Sequence, residues 1–421
     1  MRMKLNKSSQ LVLVSAASLL AATLVTACSQ FTQTLTVDFV YVASSKAAGA
    51  NNYGEINIFE INSESGARRQ IPASPVPSGG RQPVAEAVSA DNSSLFVVNQ
   101  DDNTIVQFII GNDGKLYPNN TVNTPGVYPL AVAANKSDLF VVDTYQPLPN
   151  CSTASPCSGS IAVFPLLAGG SASGAPCATS VCIGTAATNS SVSGQYWPLA
   201  VPGKSGDVIV PTGVNVLPSG NFVYVTAYDS SSKPTHTGYV FAFAVGSGGV
   251  LTPVNGSPFA AGTQPSAVAS DSTGAYLYVT DYAAGNVQGF DISSGALTPM
   301  PGSPFAAGNQ PAAIVVDQSF SFAYVANAGD SNVTAYSMSK GALTNVGTYA
   351  TGIQPVALGI DPSTAHFLFI ANFLGNNISG FELSQTAGTL LISQGSPFPC
   401  NALPTAVAAI PHNGTGAGIQ Q

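Results

Sequence analysis

An all-β fold, a single seven-bladed β-propeller with four-stranded blades, is what three observations predict for this 421-residue chain. First, a proline opens a short apolar strand seven times, at Pro83, Pro129, Pro211, Pro265, Pro311, Pro355 and Pro404, with spacings of 46, 82, 54, 46, 44 and 49 residues. Second, an aromatic-aliphatic strand also occurs seven times: FVYVAS at Phe39, LFVVNQ at Leu95, LFVVDT at Leu139, FVYVTA at Phe222, YLYVTD at Tyr276, FAYVAN at Phe322 and FLFIAN at Phe367. Third, the array ends are complementary. The first unit lacks a proline strand, and the last proline strand, PTAVAAI from Pro404, has no aromatic strand after it. Units of about 40–50 residues with period-two alternation and turn residues between runs describe propeller blades. The C-terminal strand is expected to complete the first blade and so remove exposed edges.

Ahead of the ring, Arg2, Lys4 and Lys7 precede an uncharged apolar run from Leu11 to Val25, which closes on Val25-Thr26-Ala27-Cys28. This pattern predicts a lipoprotein signal peptide over residues 1–27, with lipidation of Cys28 and a tether over 28–35. The propeller then occupies 36–411 and a disordered tail 412–421. The expected location is an exported lipoprotein of the outer membrane, periplasm or cell surface, with the membrane as a partner through Cys28.

Once the leader's three cations are set aside, nine basic residues face 20 acidic ones, and the only arginines left are Arg68, Arg69 and Arg81. Such an acidic body is a poor nucleic-acid ligand. Charged residues make up 8% of the chain, against about 25% in ordinary soluble domains. Gly, Ser, Thr, Asn and Pro carry the polarity instead, as suits a turn-rich β protein expected to be monomeric.

Each unit reads as a proline strand, an aromatic strand, an alternating strand such as NVTAYSM at Asn332, and a fourth strand after a Gly-x-Leu turn at Gly295 or Gly341. The connector GSPFAAG occurs at Gly256 and Gly302, and GSPF again at Gly395. It is expected between the fourth strand and the next proline strand, with Phe259, Phe305 and Phe398 wedged between blades. The long interval after Pro129 holds insertions within 144–210 that carry Cys151, Cys157, Cys177 and Cys182. In an exported protein these read as loop disulfides, first as the local pairs Cys151–Cys157 and Cys177–Cys182, although four cysteines allow three pairings. Zinc is disfavoured because there is no Cys-x-x-Cys and no nearby histidine. Cys400 is left either as a buried thiol or as a partner for a loop cysteine.

The YVTD, YVAN and FIAN strands resemble those of the YVTN-repeat and lactonase-like seven-bladed propellers, over roughly Thr36 to Pro411. The resemblance implies that fold, and it implies hydrolysis of a sugar lactone, 6-phosphogluconolactone being the familiar substrate. It also implies a site at a channel mouth built from Arg, His and acidic side chains, including a Gly-Pro-Arg-His and an Asn-Glu. Here the residues after the opening prolines are Val84, Leu130, Thr212, Ser266, Ala312, Val356 and Thr405, none of them basic. The second strand closes on Ser44, Asn99, Asp143, Ala227, Asp281, Asn327 and Asn372. His236, with Lys233, lies on a long loop able to overhang the channel.

Two functions follow. One is a non-catalytic binding or interaction scaffold of the cell envelope. It would use Asn99, Asp143, Asp281, Asn327 and Asn372, with Tyr145, Tyr228, Tyr282 and Phe373 beyond them, to hold a glycan, peptide or protein at the mouth. The other is a lactone hydrolase with Asp281, Asp143 or Glu86 as acid/base. Glu86 is expected in a proline strand longer than its neighbours, bulging into the channel or entering the strand late. The missing arginine and the expected export favour the scaffold. The residues give no sign of a metal or cofactor.

Overall fold

The computed structural model describes residues 37–411, except 63–65, 153, 169–180, 318, 320 and 362–365. Cys28, the leader, the tether and the tail therefore lie outside the described residues, as does Cys177 with the second expected disulfide. Apart from a 3-10 turn at Ser247–Gly249, all regular structure among the described residues is β.

Seven antiparallel sheets form a ring. The inner strands Pro83–Val88, Val127–Ala134, Ile209–Val216, Pro265–Ser270, Pro311–Val316, Pro355–Ile360 and Pro404–Ile410 each pack against the next, and the last packs against the first. Closure is as expected: Pro404–Ile410 pairs with Val37–Ala48, with Ile410 opposite Phe39. Blade 1 is therefore built from both ends of the ring, and Pro83 opens blade 2.

Neighbouring blades are held together by a device that the aromatic strands contain in plain sight. The tyrosine of each YV pair is fully buried, and its hydroxyl donates to a glycine carbonyl in the hairpin of the following blade. The bonds run from Tyr41 to Gly114 (3.0 Å), Tyr224 to Gly295 (3.1 Å), Tyr278 to Gly341 (2.7 Å) and Tyr324 to Gly388 (3.3 Å). The same glycines have φ near +70 to +84° and seat the aromatic ring two residues before the tyrosine. A Cβ on Gly341 would lie 2.5 Å from the Tyr276 ring. The Gly-x-Leu turn is thus a socket for the preceding blade, and only glycine fits it.

The GSPF connector differs from expectation. Phe259–Ala260, Phe305–Ala306 and Phe398–Pro399 pair with the third strand of their own blade, so the connector is the second half of a broken fourth strand. The serine makes good the break: Ser257, Ser303 and Ser396 hydroxyls each accept the third-strand N–H of Ala242, Gly289 or Gly380 at 2.9 Å. Ser74 does the same for Ile58 at 2.8 Å. A strand N–H left unpaired there would carry a desolvation cost, and the side chain removes it. The phenylalanines do sit in the apolar clusters between blades. Phe398 also receives the Arg68 guanidinium 3.9 Å from its ring centroid, tying blade 7 to blade 1.

Candidate functional site

The face carrying the opening prolines is formed by the ends of the second strands, the loops to the third strands and the connectors entering each inner strand. On it the structure places all five expected ligand-binding side chains, and for Asn99, Asp281, Asn327 and Asn372 the role corrects the expectation. Asn99, Asp143, Asp281, Asn327 and Asn372 are all 0% exposed. Each is clasped by a glycine three residues before the next-in-sheet proline: Gly80, Gly126, Gly262, Gly308 and Gly352. A Cβ on Gly80, Gly308 or Gly352 would fall 2.6–2.7 Å from the amide carbon of Asn99, Asn327 or Asn372. Gly308 N–H donates to Asn327 Oδ1 at 3.0 Å, and Asn327 Nδ2 donates to Asn332 Oδ1 and Thr334 Oγ1. In blades 1 and 4 the closing residue is the small Ser44 or Ala227, and the facing position holds Asn401 or Val208. Side-chain volume is traded across the contact, so Asn99, Asp281, Asn327 and Asn372 lock loops and do not present themselves to a ligand.

Asp281 is the most fully engaged. Its carboxylate accepts the N–H groups of Thr263, Gln264 and Ala284 and the Thr263 hydroxyl, at 2.6–3.1 Å. A base so fully hydrogen-bonded has no lone pair directed at a substrate. Asp143 is different. Gly126 N–H reaches its Oδ2 at 3.2 Å, while Oδ1 is buried without a hydrogen-bond partner. Burial pushes its pKa up to about 7, opposed by hydrogen bonds from Thr124 and Gly126. Ser160, directly opposite it on the third strand, has an equally unpartnered buried hydroxyl.

Glu86 does not enter the channel. Its strand, Pro83–Val88, has the same six residues as Pro265–Ser270, and the bulge lies at Val84, as it does after the opening proline in the other blades. Glu86 stands opposite Val97 in regular register and is directed at blade 1.

The rim above Asp143 is the most elaborated part of this face. The loop between Tyr145 and Ser160 is stapled by Cys151–Cys157, with Cα atoms 5.4 Å apart, as expected from the local pairing. Tyr128 and Tyr145 meet edge-on at 6.1 Å. On blade 4, Tyr228 packs against His236 at 5.0 Å, and His236 Nδ1 lies 3.1 Å from the Asp229 carbonyl. Lys233 is exposed and does not join this group. Arg81 pairs with Asp102 at 2.6 Å at the rim of blade 2, where Asn309 and Asp330 make the equivalent contact in blade 6. Cys400 is a free, half-buried thiol raised to about 12 by burial.

One feature of the mouth went unread in the sequence. The residue before the opening proline is Gln82, Gln264, Gln310 or Gln354 in four blades, and Tyr128 in blade 3. Gln82, Tyr128, Gln310, Gln354 and Leu403 have positive φ, an uncommon state for such residues. The repeated Gly-x-Gln-Pro was the available signal. At the opposite mouth a cavity of about 500 Å³ is lined by Lys136, Asn215, Ser270 and Ile314 among others, and none of the three candidate acids borders it. No group of three metal-ligating side chains is assembled among the described residues.

Residues 293–400 match the family model of the lactonase seven-bladed β-propellers. No curated protein matches the sequence. Among solved structures, a candidate 6-phosphogluconolactonase from Bacteroides fragilis superposes with a TM-score of 0.68 at 20% identity, covering 90% of this chain and 99% of the other. The periplasmic gluconolactonase of Pseudomonas aeruginosa gives 0.67 at 18% identity, covering 89% and 99%. A hypothetical selenium-binding protein from Sulfolobus tokodaii gives 0.60 at 10%, covering 89% and 94%. The chain folds as a seven-bladed β-propeller, and within it residues 293–400 are similar to the lactonase propellers.

Proposed function

We propose that this protein hydrolyses a neutral sugar lactone at the mouth framed by the opening prolines, with Asp143 as the proton-transferring group. The lactonase likeness favours ring-opening chemistry over the purely non-catalytic scaffold that the missing Arg and His suggested. The objection raised by those departures applies to phosphorylated substrates. A lactone without phosphate requires no fixed guanidinium, and the similar gluconolactonase from Pseudomonas aeruginosa is a periplasmic protein. We further propose that the chain is exported and held to a membrane by lipid on Cys28.

One observation carries the catalytic assignment. Asp143 is a buried carboxyl poised near neutrality, with a free oxygen beside the free Ser160 hydroxyl, beneath the stapled loop of blade 3. Two facing, unpartnered polar atoms suit an ordered water, and a base of near-neutral pKa suits its activation. Water held there would add to the lactone carbonyl while Asp143 takes its proton. Collapse would break the ring C–O bond, and the proton would return from Asp143 to the departing ring oxygen, giving the open hydroxy acid. The test is ring opening by the wild type and by Asp143→Asn. Asparagine already occupies this position in three blades, so the fold should tolerate it, and turnover should fall at least 100-fold on the general-base scale of about 10²–10⁴. Turnover unchanged in Asp143→Asn removes Asp143 from the chemistry.

A further inference from the structure

The third residue after the opening proline is Val132, Val214, Val268, Ile314, Leu358 and Val407 in six blades, and Glu86 in blade 2. These aliphatic side chains fill the clusters between successive inner strands. Glu86 therefore puts a carboxyl where the fold otherwise requires a branched alkyl group. Its strand packs on the closing strand Pro404–Ile410 and on Val37–Ala48 of blade 1. The surrounding cluster contains Tyr41, Val97, Val106 and Ala408. Both carboxyl oxygens are buried and neither has a hydrogen-bond partner.

The groups facing it are few. From Val37–Ala48 comes Tyr41, whose ionisation the carboxylate opposes and whose hydroxyl is committed to Gly114. The closing strand Pro404–Ile410 and the second strand Ser94–Asn99 contribute no titratable side chain, and Tyr128 of the neighbouring inner strand stands at the other end, by the mouth. Among the described residues no cation pairs with the carboxylate.

We propose that Glu86 makes the seam between blades 1 and 2 a proton-dependent latch: the neutral acid lets the closing strand seat, and the carboxylate loosens it. Burial raises the group to about 8. The sign follows from the raised value: the folded chain holds a proton that the unfolded chain has lost above pH ~4.3. The latch is therefore secure below that value and weakens as pH rises towards 8, after which its contribution is flat. The seam is also where the two ends of the ring meet, so one loosened interface frees the closing strand without disturbing six others.

Hydrogen exchange on the purified protein from pH 5 to 9, corrected for intrinsic rates, tests this directly. Opening of Pro404–Ile410 should rise up to about tenfold per pH unit below 8, the limit for one linked proton, while strands of blades 5 and 6 change little. Glu86→Leu should remove that dependence. Should the leucine variant fail to fold, Glu86→Gln serves: its closing strand should exchange at one pH-independent opening constant. Parallel pH profiles in wild type and variant, or equal opening at every seam, overturn the proposal.

Discussion

Replacing Asp143 by asparagine separates the two roles of this residue by free energy as well as by rate. In the folded chain the carboxyl is raised to about 7 from 3.8, chiefly by burial. Three units correspond to about 4 kcal/mol at 1.36 kcal/mol per unit, an upper figure because buried sites relax. The raised value means that stability is intact below pH ~4 and lost progressively as pH climbs to 7. Asparagine never ionises, and its Nδ2 can donate to Ser160 as Asn327 does to Asn332. Asp143→Asn should therefore match the wild type near pH 4 and exceed it by about 2–4 kcal/mol at pH 8. Urea unfolding at both pH values measures this, and the Glu86 contribution cancels in the difference. A pH-independent difference, or a less stable variant at pH 8, would show that Asp143 is not held near neutrality in the fold.

Four further substitutions probe the ring. Gly308→Ala should cost roughly 2 kcal/mol or more, because the new Cβ meets Asn327 at 2.7 Å. Asn327→Ala should recover most of that loss, imitating the Ala227 and Val208 pairing, and a double-mutant cycle measures the coupling. Tyr278→Phe leaves the Gly341 carbonyl without its 2.7 Å donor, and should lower stability by about 1–2 kcal/mol in denaturant titration. Ser303→Ala strips the Gly289 N–H of its acceptor. The expected loss is about 1–3 kcal/mol, with faster exchange of that amide than of the equivalent Gly380.

The ring was legible because its signals are repeated and local. Proline spacing, the YV strands and the unmatched ends each survive any ambiguity in a single blade. The broken fourth strand was not legible, since nothing in GSPF states that a serine hydroxyl will replace a backbone acceptor. The fate of Asn99, Asn327 and Asn372 was misread for a chemical reason: an amide that binds sugar and an amide that clasps a loop are the same residue. Their glycine partners were visible in GRQP, GNQP and GIQP, but the contact exists only once the sheet register places them together. Glu86 shows the cost of misjudging strand length. The bulge after the proline is common to the blades and the strand is no longer than Pro265–Ser270, so Glu86 falls opposite Val97 in the blade seam and not in the channel. Asp143 was identified from its position; Asn99 and Asn372 also carry an unpartnered Oδ1, and what sets Asp143 apart is that its buried group ionises and stands opposite an unpartnered Ser160 hydroxyl.

The central claim is tested most directly by ring opening, followed as acid release at pH 7, across neutral and phosphorylated sugar lactones with wild type and Asp143→Asn side by side. Turnover of a neutral lactone well above the buffer rate, unimproved by a phosphate on the substrate and abolished in the asparagine variant, is the predicted result. Hydrolysis no faster than buffer on every lactone, with a folded wild type, would contradict it and leave a binding propeller.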